Sequence, residues 1–287
     1  MDTLLNVTGL NKSYSGFSLR DVSFSLPEGC ITGFIGANGA GKTTTLKTIL
    51  GLTERTSGTI EFFGLPFDAA HEREIKNRLG IVLGDGCFYD ELTLAEMKSV
   101  LAPAYTAWCE KDFRGYLDRF TLDPKQKIST LSKGMKMKYA LALALSHKAE
   151  LLIMDEPTSG LDPLIRRQLL TILTDYMARG GRGVFFSTHI TSDLDKIADL
   201  LVLIDQGRII FQEEKDSLLE RFRIVKGDAH DLTGATRPLF LQLAETPFGF
   251  TGVTGQFDKV RRLLPHSIAE RPTVEDIMLS YIEGGTH

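Results

Sequence analysis

Cysteine is scarce. The 287 residues hold three, Cys30, Cys87 and Cys109, far apart and without a CxxC pair. A disulfide framework and a thiolate zinc site are therefore disfavoured, and a reducing compartment fits best. Long apolar runs are missing too. The longest uninterrupted one, Tyr139 to Leu145, falls far short of the roughly 20 residues a membrane helix needs. The opening MDTLLNVTGLNKSY carries Asp2 and only a short apolar stretch, so no signal peptide is expected there. Basic charge is not in excess: 33 Lys and Arg face 37 Asp and Glu, a net charge of −4, with no long basic run. That balance argues against a dedicated nucleic-acid binder. There is no internal repeat and no low-complexity tract.

What is present is ordinary globular material. Hydrophobic residues make up 43% and charged residues 24%, enough for a sizeable core in one large domain or two modest ones. Val22, Phe24 and Leu26 alternate with polar residues as in a half-buried strand, and Pro27-Glu28-Gly29 follows as a turn. Cys30 to Ile35 is a short apolar strand entering a glycine-rich stretch. From about Leu92 to His147 the pattern is helical, and Phe113, Tyr116, Leu117 and Phe120 form one apolar stripe. Strands return at Leu151 to Asp155 and Val184 to Ser187, then at Leu200 to Ile204 and Arg208 to Phe211 around the hairpin signal Asp205-Gln206-Gly207. Strands alternating with helices imply an α/β fold with a mainly parallel sheet. After about Asp216, glycines punctuate shorter segments, which read as a small accessory domain over 217–287. It ends in a helix capped by Thr273 with Asp276 three residues on, its apolar face Val274, Ile277, Met278 and Tyr281.

Gly36-Ala37-Asn38-Gly39-Ala40-Gly41-Lys42-Thr43-Thr44 fits GxxxxGK[ST], between an apolar strand and a helical pattern. The glycines let backbone N–H groups turn inward on phosphate oxygens, and the following helix aims its positive end at the same anion. Lys42 is expected at the β- and γ-phosphates and the Thr43 hydroxyl on Mg²⁺. Leu151 to Glu156 is a buried strand ending in two carboxylates, at the strand end where parallel sheets place ligands. Asp155 is a candidate for Mg²⁺ and Glu156 for the general base on the attacking water. His189 closes another strand, where its imidazole can face the γ-phosphate and that water.

Leu131-Ser132-Lys133-Gly134-Met135 precedes the carboxylate strand by about twenty residues, and Ser159-Gly160-Leu161-Asp162 follows it. In this order the segments resemble an ATP-binding cassette (ABC) ATPase over about residues 1–216. The resemblance implies a P-loop NTPase core with an antiparallel β-subdomain and a helical subdomain at about 87–149. It implies ATP and Mg²⁺ as ligands. It further implies that Ser132 and Gly134, at a helix start, meet the γ-phosphate of an ATP held by a second cassette. Asp162 would couple the two sites, and Tyr14 would stack on adenine. The working unit would be two cassettes, copies or paralogues, at the cytoplasmic face of the cell membrane on a separate transmembrane permease. Phe88, Tyr89 and Trp108 are candidate permease contacts.

Two departures stand out. Lys133 and Met135 replace a glycine and the glutamine of the usual LSGGQ, a variant similar to the ATP-binding subunits of a group of bacterial exporters, as is the terminal PTVEDIMLSYI. Gly84 stands where the family has a loop glutamine, with Asp85 beside it as a substitute oxygen ligand for the metal. The expected function is an exporter ATPase. The alternative is a soluble ABC ATPase acting on DNA or ribosomes. Against it stand a segment from Lys42 to Leu131 too short for the coiled coil of repair members, and a single phosphate loop.

Overall fold

The computed structural model describes residues 2–83 and 88–284. The chain opens with β1 (Thr3–Tyr14) and β2 (Phe17–Pro27), whose alternating Leu5, Val7, Val22, Phe24 and Leu26 are all buried. A short strand, β3 (Ile31–Ile35), buried at every position, runs through the phosphate loop into α1 (Lys42–Ile49). β4 (Ser57–Phe62) and β5 (Leu65–Pro66) complete an antiparallel sheet in the order β2-β1-β4-β5. Then come α2 (Glu72–Arg78) and β6 (Leu79–Val82).

The helical segment contains α3 (Leu94–Leu101), α4 (Glu110–Phe120) and α5 (Lys133–Ser146). Thr93 and Glu96 close a reciprocal capping box at the start of α3. The stripe Phe113, Tyr116, Leu117 and Phe120 is buried as the periodicity requires. From Tyr139 to Ser146, α5 is buried on every side, so an amphipathic pattern would not suit it.

The chain continues through β7 (Leu151–Asp155), α6 (Pro163–Met177), β8 (Gly183–Thr188), α7 (Thr191–Ile197), β9 (Leu200–Asp205) and β10 (Arg208–Glu214). The central sheet has the order β10-β9-β3-β8-β7-β6. It is parallel from β9 to β6, with β10 antiparallel at the edge. The β9–β10 hairpin turns on Gln206 and Gly207, both at positive φ (44° and 76°), the demand of a type I′ turn. β3, β7 and β8 lie side by side, so their carboxyl ends, carrying the phosphate loop, Asp155-Glu156 and His189, open on one crevice.

The remainder holds α8 (Lys215–Arg221), β11 (Arg223–Gly227), β12 (Gln242–Thr246), β13 (Gly249–Thr254), α9 (Phe257–Leu263), β14 (Ile268–Glu270) and α10 (Val274–Gly284). A third, antiparallel sheet, β12-β13-β11-β14, covers its own small core of Val225, Phe250, Val260 and Leu264. Thr273 and Asp276 cap α10 reciprocally. Its face of Val274, Ile277 and Met278 joins the same apolar cluster as Leu194, Phe211 and Leu218, so the last helix packs back onto the preceding layers.

Candidate functional site

The phosphate loop is shaped by close approach and by backbone sign. A side chain at Gly36 would collide with the Ile204 carbonyl oxygen. Gly39 has open space around it but sits at φ 83°, where a Cβ is disfavoured. Lys42 is buried, its ammonium donating to the carbonyls of Gly36 (2.8 Å) and Ala37 (3.2 Å) and standing 3.6 Å from Glu156 Oε1.

Glu156 departs from the strand before it by a left-handed backbone, φ 48°. Such a conformation is uncommon outside glycine and costs of order 1 kcal/mol or more. Ser187, on the neighbouring strand β8, holds it there. Its carbonyl and hydroxyl oxygens both accept from the Glu156 N–H (3.1 and 3.0 Å), and the hydroxyl donates to Asp155 Oδ1 at 2.5 Å. The Glu156 carboxylate is thereby turned toward His189, whose Nδ1 lies 2.8 Å from Oε2 and whose backbone N–H lies 3.4 Å from the same oxygen.

These groups share one cavity of about 620 Å³. It is lined by Tyr14, Phe17, Asn38, Gly39, Gly41, Lys42, Thr43, Thr44, Glu156 and His189, and its size suits a nucleotide-sized ligand. Tyr14, at the end of β1, is half exposed, with the Lys12 ammonium 5.1 Å from its ring centre. Phe17, across the turn, is the second aromatic of this wall, and the sequence reading passed over it although it lies three residues from Tyr14. Ser187 was likewise missed. Asp155, beside Glu156, contacts Ser187 and does not line the cavity. Gly36, Ala37 and Ala40 form the loop behind its lining.

Ser132, Gly134 and Asp162 line no part of this cavity. They stand instead at the starts of α5 and α6, two helix ends that approach each other at Gly134. Ser132 caps α5, accepting the Met135 N–H at 3.3 Å, and Asp162 caps α6, accepting the N–H groups of Leu164 and Ile165 at 3.0 Å. Gly134 faces Ile165 and Leu161 of that second helix start, and the Lys133 ammonium folds over Gly160. Gly84, Asp85, the expected oxygen ligand, and Cys87 lie outside the described residues. Among the proposed permease contacts, Tyr89 is exposed, whereas Phe88 packs on Tyr139 and Trp108 on Phe113. Phe88 and Trp108 also line an apolar recess of about 180 Å³ between β6 and α5, floored by His147.

A phosphate loop, an adjacent acidic strand end and a histidine just past a third strand mark a P-loop nucleotide-binding protein. The comparisons carry the assignment further. The family model described as "ABC transporter" matches residues 19–159. The chain is 34% identical over 226 residues to the bacitracin transport ATP-binding protein BcrA of Bacillus licheniformis, covering 78% of this chain and 74% of that one. It is 31% identical over 292 residues to the Nod factor export ATP-binding protein I of Rhizobium johnstonii, covering 96% and 93%. A solved ATP-binding subunit of an ABC transporter superposes with a TM-score of 0.69 at 32% identity, over 76% of this chain and 92% of that one. The chain belongs to the ABC transporter family, as an ATP-binding subunit with ATPase activity. Among the described residues no helix is long and apolar enough to cross a membrane.

Proposed function

We propose that this chain powers a bacterial exporter, docked on a separate transmembrane permease at the cytoplasmic face of the membrane, and that it works as one of two cassettes closed head to tail on two ATP molecules. Tyr14 and Phe17 take the adenine, where base–aromatic stacking is worth about 1–3 kcal/mol. The loop from Gly36 to Thr44 and the Lys42 ammonium take the phosphates. Glu156 is the general base that accepts a proton from the attacking water, and His189 orients Glu156 and the γ-phosphate. Thr43 and Asp155 offer hydroxyl and carboxylate oxygens, the hard donors Mg²⁺ prefers when it keeps waters and phosphate oxygens as its other ligands. When bound, the ion neutralises charge developing on the phosphates.

One observation carries the two-cassette reading. Ser132, Gly134 and Asp162 cluster at two helix starts away from the cavity that holds Glu156 and His189. The N-terminus of α5, spared acidic residues in its first turn, favours an anion by about 0.3–1 kcal/mol when exposed, and the γ-phosphate of the opposite cassette is the anion that fits. The apolar recess beside Phe88 and Trp108, with exposed Tyr89 nearby, is the docking place for the permease. The names of the relatives, transport and export proteins, favour this over action on ribosomes or DNA. Copurification with a permease, together with turnover that rises more than linearly with enzyme concentration, supports the proposal. Brisk turnover by monomer, independent of concentration, refutes it.

A further inference from the structure

Helix α7 begins two residues after His189 and is only seven residues long. A helix of two turns does not hold its own place, because local hydrogen bonds do not offset the cost of ordering it. Its position is set by what grips it, and two helices do. On one side Arg166 of α6 donates to Asp193 Oδ1 at 2.5 Å and to Ser192 Oγ at 2.8 Å. On the other side stands α10. Thr191, the first residue of α7, donates its hydroxyl to Glu275 Oε2 at 3.2 Å, and the Val274 N–H points at Asp195 Oδ1 at 3.4 Å. Beneath these bonds Leu194 and the fully buried Val274 and Ile277 share one apolar cluster. The far end of α10 is fixed in turn, Glu283 accepting from Gln242 of β12 at 2.5 Å. The last helix is thus a strut from the C-terminal sheet to the chain segment that presents His189.

We infer that Glu275 is a positioning residue for ATP hydrolysis: through the Thr191 hydroxyl it fixes the start of α7, and so the His189 ring against Glu156. The inference rests on the reading of Glu156 and His189 as the hydrolytic pair. A shift of a few tenths of an ångström at Thr191 moves His189, two residues earlier, off the 2.8 Å contact it makes with Glu156. The adenine and phosphate-loop contacts of ATP stay in place, since Tyr14, the phosphate loop and Lys42 belong to other elements, and the effect falls on the step that needs His189 aligned with Glu156.

The test uses the full chain with Glu275→Ala, Thr191→Val, their double, Glu275→Gln and His189→Ala. Each alanine or valine single lowers kcat about three- to tenfold, the loss of one net hydrogen bond, and leaves KM for ATP and fluorescent-nucleotide affinity at parental values. The double is no worse than the worse single. Glu275→Gln restores kcat, because its amide oxygen accepts the same bond. Parental kcat in both singles overturns the inference. So does an additive double, an unrescued Gln variant, or a loss that appears only as lowered melting temperature with KM rising alongside. If His189→Ala retains parental turnover, the hydrolytic reading itself fails. If it abolishes turnover while Glu275→Ala and Thr191→Val do not move it, only the strut inference fails.

Discussion

Nδ1 of His189 and Oε2 of Glu156 stand 2.8 Å apart, although 33 residues and a change of strand separate them. Glu156 Oε1 meanwhile lies 3.6 Å from the Lys42 ammonium. The proposed role for this carboxylate, held between an imidazole and an ammonium at the mouth of a phosphate loop, is to take a proton from the attacking water. Glu156→Gln keeps the size and removes the proposed base. Turnover is expected to fall about 10²- to 10⁴-fold, with ATP affinity retained and, on the two-cassette reading, a stable ATP-bound dimer. Phosphate release and size-exclusion chromatography with ATP measure both. Undiminished hydrolysis removes Glu156 as the base.

Ser187 serves two neighbours through one hydroxyl, donating to Asp155 and accepting from the Glu156 N–H. Ser187 itself is fully buried, so water does not readily replace its hydroxyl. Ser187→Ala should cost about 1–3 kcal/mol of stability and lower kcat by more than it alters nucleotide affinity. Urea unfolding and single-turnover kinetics report the two effects separately. A variant that is destabilised but turns over normally would show that the left-handed backbone of Glu156 does not need this support.

Ser132 and Asp162 cap the helices that meet at Gly134. Ser132→Arg puts a bulky cation at an exposed position, at the place proposed to receive the second cassette's ATP. Monomeric ATP binding is expected to survive, whereas dimerisation of the Glu156→Gln background in ATP is lost. Analytical ultracentrifugation of the two variants decides. Normal dimers would place the contact between cassettes elsewhere.

Much of this architecture was legible because it is encoded locally. The phosphate loop needs glycines at fixed offsets, the β9–β10 turn needs Gln206-Gly207, and the stripe Phe113 to Phe120 needs only helical spacing. Thr273 and Asp276 announced the α10 cap three residues apart. What escaped was encoded at a distance. Ser187 reads as one more residue of an apolar strand until β8 lies beside β7. Phe17 is the exception, a local neighbour paired with Tyr14 across the β1–β2 turn. The contact of Glu275 with Thr191 spans 84 residues of sequence, and nothing in the capping pattern says which face the helix will cover.

His147 ends α5 almost wholly buried, its ring stacked 3.8 Å from that of Tyr105. Nε2 lies 2.9 Å from the Leu79 carbonyl oxygen and Nδ1 3.1 Å from that of Leu143. Two carbonyls favour a doubly protonated ring, but burial disfavours the charge more strongly, so the pKa is held below its ordinary 6.5. The unfolded chain therefore takes up a proton at this residue before the folded chain does. By linkage the contribution of neutral His147 to stability is complete above the ordinary value of 6.5 and is lost as pH falls below it toward the depressed folded value. The loss is at most about 1.4 kcal/mol per pH unit over that window. His147→Gln, which keeps a donor for one carbonyl, should lower stability at pH near 7.5 yet flatten its decline toward pH near 5.5, both pH values being flanking points about one unit either side of the ordinary histidine range. Urea unfolding of the two proteins at each pH gives the difference directly, since carboxylates elsewhere titrate alike in both. Parallel declines would mean that the buried ring binds its proton as readily as an unfolded one, with the two carbonyls outweighing burial.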